Sequence, residues 1–272
     1  MGGTIGIIQA RMSSQRLPGK ILAPLAGRPM LARIADRLRS ALVDEWWLAT
    51  SRDPADDVTE AWGFELGLRV FRGHPSDVLS RFVAIGAESH GEWCVRVMAD
   101  HPFLDAALID SLLDARDASE EAKRADAIRH GGGTPIADQS TDGAESKSPP
   151  RTSPRLPIGY GVELVRMRAL KRAAAEIPAK APHHRAHVTS WLYAEGQGDI
   201  HAVETPAAWP DRPGWRWTVD TYEDLAMARS AFRLFGSEAS RLDYPGMVAR
   251  LDAHPEIATM NAHVAQRTRE GD

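Results

Sequence analysis

The chain has 272 residues, 43% of them hydrophobic and 26% charged, with a formal net charge of -4. That length suits one large α/β domain or two small ones, and the balance is ordinary for a soluble globular protein. No global positive field recruits nucleic acid or an anionic membrane, and a single cysteine excludes an internal disulfide framework or a cysteine-based zinc cluster.

Thr4-Ile5-Gly6-Ile7-Ile8-Gln9 reads as a buried strand, too short and too β-branched for a helix. Pro29 opens a helical pattern with Met30, Leu31, Ile34 and Leu38 on one face, and Arg33, Arg37 and Arg39 on what reads as its solvated side. Trp46 to Thr50 is a second strand, Ala55 to Leu66 the next helix, and Leu68 to Phe71 a third strand. Pro75 starts a helix in which Val78, Leu79, Phe82 and Ile85 recur at helical spacing. Trp93 to Met98 is a fourth strand, with Cys94 expected as a buried, inert thiol, and Ala106 to Leu113 is helical behind it. This alternation predicts an α/β fold, a mainly parallel sheet with helices on both faces.

From Gly131 to Arg155 the chain turns polar and proline-rich, unable to bury enough apolar surface to offset its ordering entropy. A mobile excursion is expected there, either a lid or a tolerated surface insertion. Order returns at Leu156 to Glu163. Helical patterns run through Leu170, from Pro182 to Tyr193 and from Leu225 to Phe235, with a strand expected near Arg216 to Val219. No apolar run could cross a bilayer, and the N-terminus carries neither a basic leader nor a cleavage site, so a cytoplasmic location is expected.

The most informative segment is Gln9-Ala10-Arg11-Met12-Ser13-Ser14-Gln15-Arg16-Leu17-Pro18-Gly19-Lys20. It follows the first strand directly, at the carboxyl edge of the sheet, where open α/β folds bind ligands. Arg11, Arg16 and Lys20 supply three cations among small residues, a chemistry suited to a triphosphate. It is neither a Walker A loop nor a dinucleotide fingerprint.

Together with Leu25-Ala26-Gly27-Arg28-Pro29-Met30, this segment resembles the opening of the cytidylyltransferase family, which includes CMP-sugar-acid synthetases and, as the nearer match, the spore coat polysaccharide biosynthesis protein SpsF group. Later blocks agree in order: Phe71-Arg72-Gly73 with Asp77-Val78-Leu79 and Arg81; Val95-Arg96-Val97-Met98-Ala99-Asp100; His184-Arg185-Ala186-His187-Val188-Thr189; and Trp217-Thr218-Val219-Asp220-Thr221 with Glu223-Asp224-Leu225. Gln15 departs from the usual Thr, and His101 from the usual Cys.

The resemblance implies a Rossmann-like three-layer α/β/α nucleotidyltransferase fold with a mainly parallel mixed sheet. One domain would span 1–272, with the polar insertion at 131–155 and a helical C-terminal extension at 236–272. It implies transfer of CMP from CTP to a sugar acid or related acceptor, with Mg²⁺ as cofactor. The alternatives are a nucleotidyltransferase that acts on a sugar 1-phosphate or phosphonate with another NTP, and a non-catalytic nucleotide-binding module. Partners would be CTP and a small sugar-like acceptor, without nucleic acid or membrane, leaving room for a homodimer.

By the same resemblance Arg11, Lys20, Asp100 and Asp220 are the catalytic residues, and Asp100 and Asp220 the metal ligands. Gln9, Ala10, Ser13, Arg16, Arg72, Asp77, Arg81 and Ala99 would complete the nucleotide site, and Glu163, Arg185 and His187 would line the acceptor site. On the residues alone, Asp100 and Asp220 both end predicted strands at the ligand-binding edge, where hard oxygen ligands suit Mg²⁺. Taken that way, a helix cap is the stronger reading for Asp220, and a turn before Pro102 serves for Asp100. Asp77 and Arg81 also read as an i,i+4 surface pair. His183 and His187 share a helix face, but without a following Glu or any cysteine they make a poor zinc site.

Overall fold

The structure is a computed structural model that describes residues 2–131, 155–194 and 196–266. Most of the polar stretch at 131–155, expected from sequence to be mobile, lies outside the described residues.

The strands in chain order are β1 (Thr4–Gln9), β2 (Pro24–Leu25), β3 (Arg28–Pro29), β4 (Glu45–Ser51), β5 (Arg69–Gly73), β6 (Trp93–Met98), β7 (Ala127–His130), β8 (Glu163–Arg166) and β9 (Ile200–Val203). Among the described residues β2 and β3 form a small antiparallel ribbon, and the other strands build one sheet in the order β5-β4-β1-β6-β8-β7-β9. In that sheet β8 alone runs against its neighbours, so the sheet is mixed but mainly parallel. The four consecutive parallel strands β5, β4, β1 and β6 therefore deliver their carboxyl ends to one edge.

The helices are α1 (Met30–Leu38), α2 (Asp57–Glu65), α3 (Val78–Ser89), α4 (Ala106–Ala118), α5 (Glu120–Arg124), α6 (Met167–Glu176), α7 (His183–Ala186), α8 (Tyr222–Phe235), α9 (Tyr244–Asp252) and α10 (Pro255–Ala258). Alternation along β1 splits the interior in two. Ile8 joins a large core with residues of α1, α4, α8 and α9, while Ile5 and Ile7 join a second core with α3 and α6. Helices thus cover both faces, as the three-layer expectation requires.

Several local expectations need correction. Arg37 is not solvated: it is 2% exposed and donates to the carbonyls of Leu104 (2.9 Å), Phe103 (3.2 Å), Leu242 (2.8 Å) and Ala239. Those carbonyls end loops that would otherwise be buried without partners, and a guanidinium fork satisfies them together. The segment Arg216 to Val219 is extended but not a ladder strand, since its recorded pairing is a single bridge between Arg216 and Ile158. From Pro182 to Tyr193 only the short α7 is helical; Val188 turns the chain at φ 58°, a conformation a β-branched residue rarely adopts. Conversely α6 runs on to Glu176, and β7, β8 and β9 had no sequence-level counterpart.

Candidate active site

The loop after β1 is shaped by its own backbone. The carbonyl of Met12 accepts from the amides of both Ser14 and Gly19, each at 2.9 Å, closing residues 12–19 into a compact turn. Gly19 sits at φ 73°, which a side chain would resist, and passes the chain directly into the single turn that carries Lys20. Buried Leu17 anchors the loop from beneath, and the Met12 amide donates to Asp56 Oδ1 at 2.7 Å. Asp56 is 1% exposed and also receives the hydroxyls of Ser51 and Thr59. It had no place among the residues expected from sequence to build the site.

Register then brings the acidic residues to this loop. Gln9 at the end of β1 pairs with Met98 at the end of β6, and the Ala99 amide continues the ladder to the Gln9 carbonyl at 3.1 Å. Asp100 is the next residue. Its carbonyl accepts from the Val219 amide at 2.8 Å, which draws Asp220 alongside. The turn at Ile158 holds the other end of that segment, through bonds from Ile158 to Trp215 (2.9 Å) and from Trp217 to Ile158 (2.6 Å). Gly159 is essential to this approach: at φ 87°, a Cβ there would fall 2.4 Å from the Thr218 nitrogen.

At the centre lies Lys20, 8% exposed, with Nζ 2.8 Å from Asp100 Oδ2 and 2.8 Å from Asp220 Oδ1. Arg16 adds a contact to Asp220 Oδ1 at 3.2 Å, and Arg216 takes Asp220 Oδ2 at 2.9 Å. Burial disfavours the Lys20 ammonium, but the two carboxylates outweigh it and hold the group above the ordinary lysine range. Burial likewise opposes charge on Asp220, yet Lys20, Arg16 and Arg216 pull it down to about 2. Asp220 is not the cap of α8; Thr221 is, in a capping box with Asp224. Beside the pair, burial keeps the His101 imidazole below its usual range, against the pull of Asp100 and Asp220.

Arg11 is exposed at the loop rim, with no carboxylate of the described residues within ion-pairing distance, and Ser13 is exposed beside it. Ala10 and Ala99 are buried under the loop, and the Gln9 side chain faces inward to accept from Arg96 at 3.0 Å. Burial, with Arg11 as the next influence, pushes Arg81 down to about 10.

The structure gives Arg72 and Arg81 internal partners. Arg72 donates to the carbonyls of Ser51 (2.8 Å) and Asp53 (2.9 Å) and pairs with Asp57 and Glu60, pinning the turn after β4. Arg81, 1% exposed, donates to the carbonyls of His74 and Pro75 rather than pairing with Asp77. Asp77 caps α3 through Ser80 and meets Arg185 at 3.0 Å. The i,i+4 surface pair is therefore not formed.

Among the residues expected to line the acceptor site, Glu163 forms a buried pair with Arg96 at 2.9 Å, 1% and 3% exposed, and Thr189 bonds to both at 2.9 and 3.0 Å. Among the described residues Glu163 Oε1 is left with no hydrogen-bond partner. Arg185 also donates to the Ala174 carbonyl at 2.6 Å, and His187 ends α7 in the turn that leads to Thr189. Two residues assigned to opposite substrates, Asp77 and Arg185, are thus joined to each other.

With this geometry in view, a family model described as cytidylyltransferase matches residues 5–195. Over 267 residues the chain is 29% identical to the spore coat polysaccharide biosynthesis protein SpsF of Bacillus subtilis (strain 168), covering 95% of this chain and 98% of that one. A cytidylyltransferase from Leptospira borgpetersenii serovar Hardjo-bovis (strain JB197) shares the fold at TM-score 0.79 and 22% identity, over 99% of this chain and 100% of that chain. CMP:2-keto-3-deoxy-manno-octonic acid synthetase, solved in complex with CTP, matches at TM-score 0.58 and 19% identity, over 85% of this chain and 98% of that chain. No helix among the described residues is long and apolar enough to cross a membrane. The matched span takes in most of the chain, and the chain belongs to the cytidylyltransferase family, a family of nucleotidyltransferases.

Proposed function

We propose that this protein transfers CMP from CTP to a hydroxyl of a sugar acid or related acceptor and releases pyrophosphate. The observation that carries this reading is Lys20 held between Asp100 and Asp220 at the foot of a cationic turn. The acceptor hydroxyl oxygen attacks the α-phosphorus and gives up its proton to solvent water, the bond from the α-phosphorus to the bridging oxygen breaks, and the pyrophosphate leaves with that electron pair. Arg11 and Arg16 bind the triphosphate from the rim, and Lys20 reaches it from below, a set of donors suited to phosphate oxygens. Glu163, Arg185 and His187 border the acceptor side, where the Arg96–Glu163–Thr189 cluster fixes the wall.

Mg²⁺ fits this site. Two carboxylates supply hard oxygen donors, and among the described residues Asp100 Oδ1 is buried without a hydrogen-bond partner, with His101 Nε2 3.6 Å away. Asp100 and Asp220 would hold the ion, which when bound would withdraw negative charge from the phosphates. The remaining ligands would be water and phosphate oxygens, as is usual for Mg²⁺.

The test is pyrophosphate release from CTP and Mg²⁺ against a panel of sugar acids, sugar 1-phosphates and phosphonates, repeated with the other nucleoside triphosphates. Turnover is expected with CTP and a sugar acid, and Asp100→Ala is expected to lose it by about 10²–10³-fold, the scale of a removed transition-state charge contact. Full activity in Asp100→Ala would overturn the assignment of that carboxylate. Turnover confined to sugar 1-phosphates or phosphonates would replace the acceptor class.

A further inference from the structure

We infer that Arg216 is a positioning residue for Asp220, and that its buried pair with Asp224, braced by Asn261, makes the C-terminal segment set the orientation of a metal-holding carboxylate. This rests on the reading of Asp220 given under the proposed function. It concerns residues beyond the span matched by the family model, which ends at 195.

The two oxygens of Asp220 have separate duties. Oδ1 faces Lys20 and Arg16, whereas Oδ2 accepts from Arg216 at 2.9 Å, with the Thr218 hydroxyl at 3.4 Å. Rotation of the carboxylate would break both sets of contacts, so the Arg216 bond decides which oxygen turns toward the phosphate loop. Arg216 is itself immobilised. Its Nε donates to Asp224 Oδ1 at 2.9 Å, and the same NH2 group that holds Asp220 lies 3.3 Å from Asp224 Oδ2. Asp224 in turn accepts from the amides of Asp220 (2.9 Å) and Thr221 (3.1 Å), fixing the main chain as well as the side chain of the same aspartate.

Asn261 closes the assembly from the turn after α10. Its Nδ2 donates to Asp224 Oδ1 at 2.8 Å and to the Arg216 carbonyl at 2.9 Å. Arg216, Asp224 and Asn261 are 3%, 1% and 1% exposed. A buried ion pair adds little net stability over apolar packing, and its better attested use is to specify one conformation. Here the specified conformation is that of Asp220. Arg is the residue this bridge requires, because a forked guanidinium reaches both carboxylates and a lysine ammonium is a single point charge.

The test is Mn²⁺ binding, followed by electron paramagnetic resonance, to the full-length protein with an α,β-methylene analogue of CTP that cannot be turned over. Arg216→Lys, which keeps the charge and loses the fork, is expected to weaken Mn²⁺ binding by about tenfold or more, the scale of lost support behind a metal ligand. Asn261→Ala leaves the ion pair in place and removes its brace; a shift of a few-fold in the same direction is expected, and it carries the test if Arg216→Lys does not fold. Melting temperatures recorded alongside separate the two roles, since a purely structural part would lower stability and leave Mn²⁺ affinity unchanged. Wild-type affinity in both variants, with Asp220→Asn clearly weakened, would overturn the positioning role and spare the metal assignment. Unchanged affinity in Asp220→Asn would overturn both, and would locate the failure in the earlier reading.

Discussion

Replacing Lys20 with Met tests the electrostatics of the site most directly. In the protein its ammonium neutralises Asp100 and Asp220, each 2.8 Å away, and the three side chains are only 10–15% exposed. Lys20→Met keeps much of the aliphatic stem and leaves the carboxylates facing each other with Arg16 and Arg216 as the remaining cations. Removing one partner of a buried charge set costs roughly 3–5 kcal/mol, and the residual exposure argues for about 3. At about 2.1 cal/mol/K per residue, the unfolding entropy of a chain this size converts about 3 kcal/mol into a loss of about 5 °C in melting temperature. A divalent ion should then take over the missing charge. Free metal at a hundredfold excess over its dissociation constant contributes about 2.7 kcal/mol, enough to restore most of the loss. The assay is differential scanning calorimetry of both proteins in EDTA and in MnCl₂ without nucleotide. The variant is expected to melt lower in EDTA and to recover with Mn²⁺, while the wild type, its site already filled by an ammonium, shifts little. A Lys20→Met protein that melts with the wild type in EDTA, or equal Mn²⁺ shifts in both, would refute the reasoning.

Three further outcomes are expected. Arg37→Leu strands several buried carbonyls, each worth about 1–3 kcal/mol when left unsatisfied, so its urea midpoint should fall sharply; an unchanged midpoint would show the fork is dispensable. Burial pushes His130 down from 6.5 to about 4, so the unfolded chain takes up a proton that the folded one refuses between those values. Its stabilisation is complete above about pH 6.5 and is lost as the pH falls toward 4, by on the order of 3 kcal/mol, and urea melts of His130→Gln should show a shallower acid slope. Cys94 is fully buried, and desolvation holds its thiol well above the usual range, so a colourimetric thiol reagent should find no reactive group in the native protein and one in urea.

The opening strand, its cationic loop and the strand that ends at Asp100 were legible because each is local. A β-branched run, a loop of small residues and a terminating proline carry their own geometry. Asp220 lies beside Asp100, but not as the end of a ladder strand. Buried Trp217 and Val219 imitate strand alternation, but the segment is held by the Gly159 turn and the Asp100 carbonyl, contacts that no periodicity displays. Arg37, Arg72 and Arg81 share another lesson. Sequence registers a cation and assigns it to solvent or to a nucleotide, whereas these three donate to main-chain carbonyls. Strands β7, β8 and β9 are four residues each, too short for alternation to separate from a turn, and they exist because neighbours pair with them.

Lys20 meets Asp220 across 200 residues of chain, and Asn261 lies farther along still. A chain growing from the ribosome therefore carries its cationic turn and first acidic residue long before it acquires the second. Until that later segment emerges and docks, the Lys20 ammonium has only one of its two carboxylate partners. A fragment cut before Asp220 would carry Lys20 beside Asp100 alone, with half of the charge set missing.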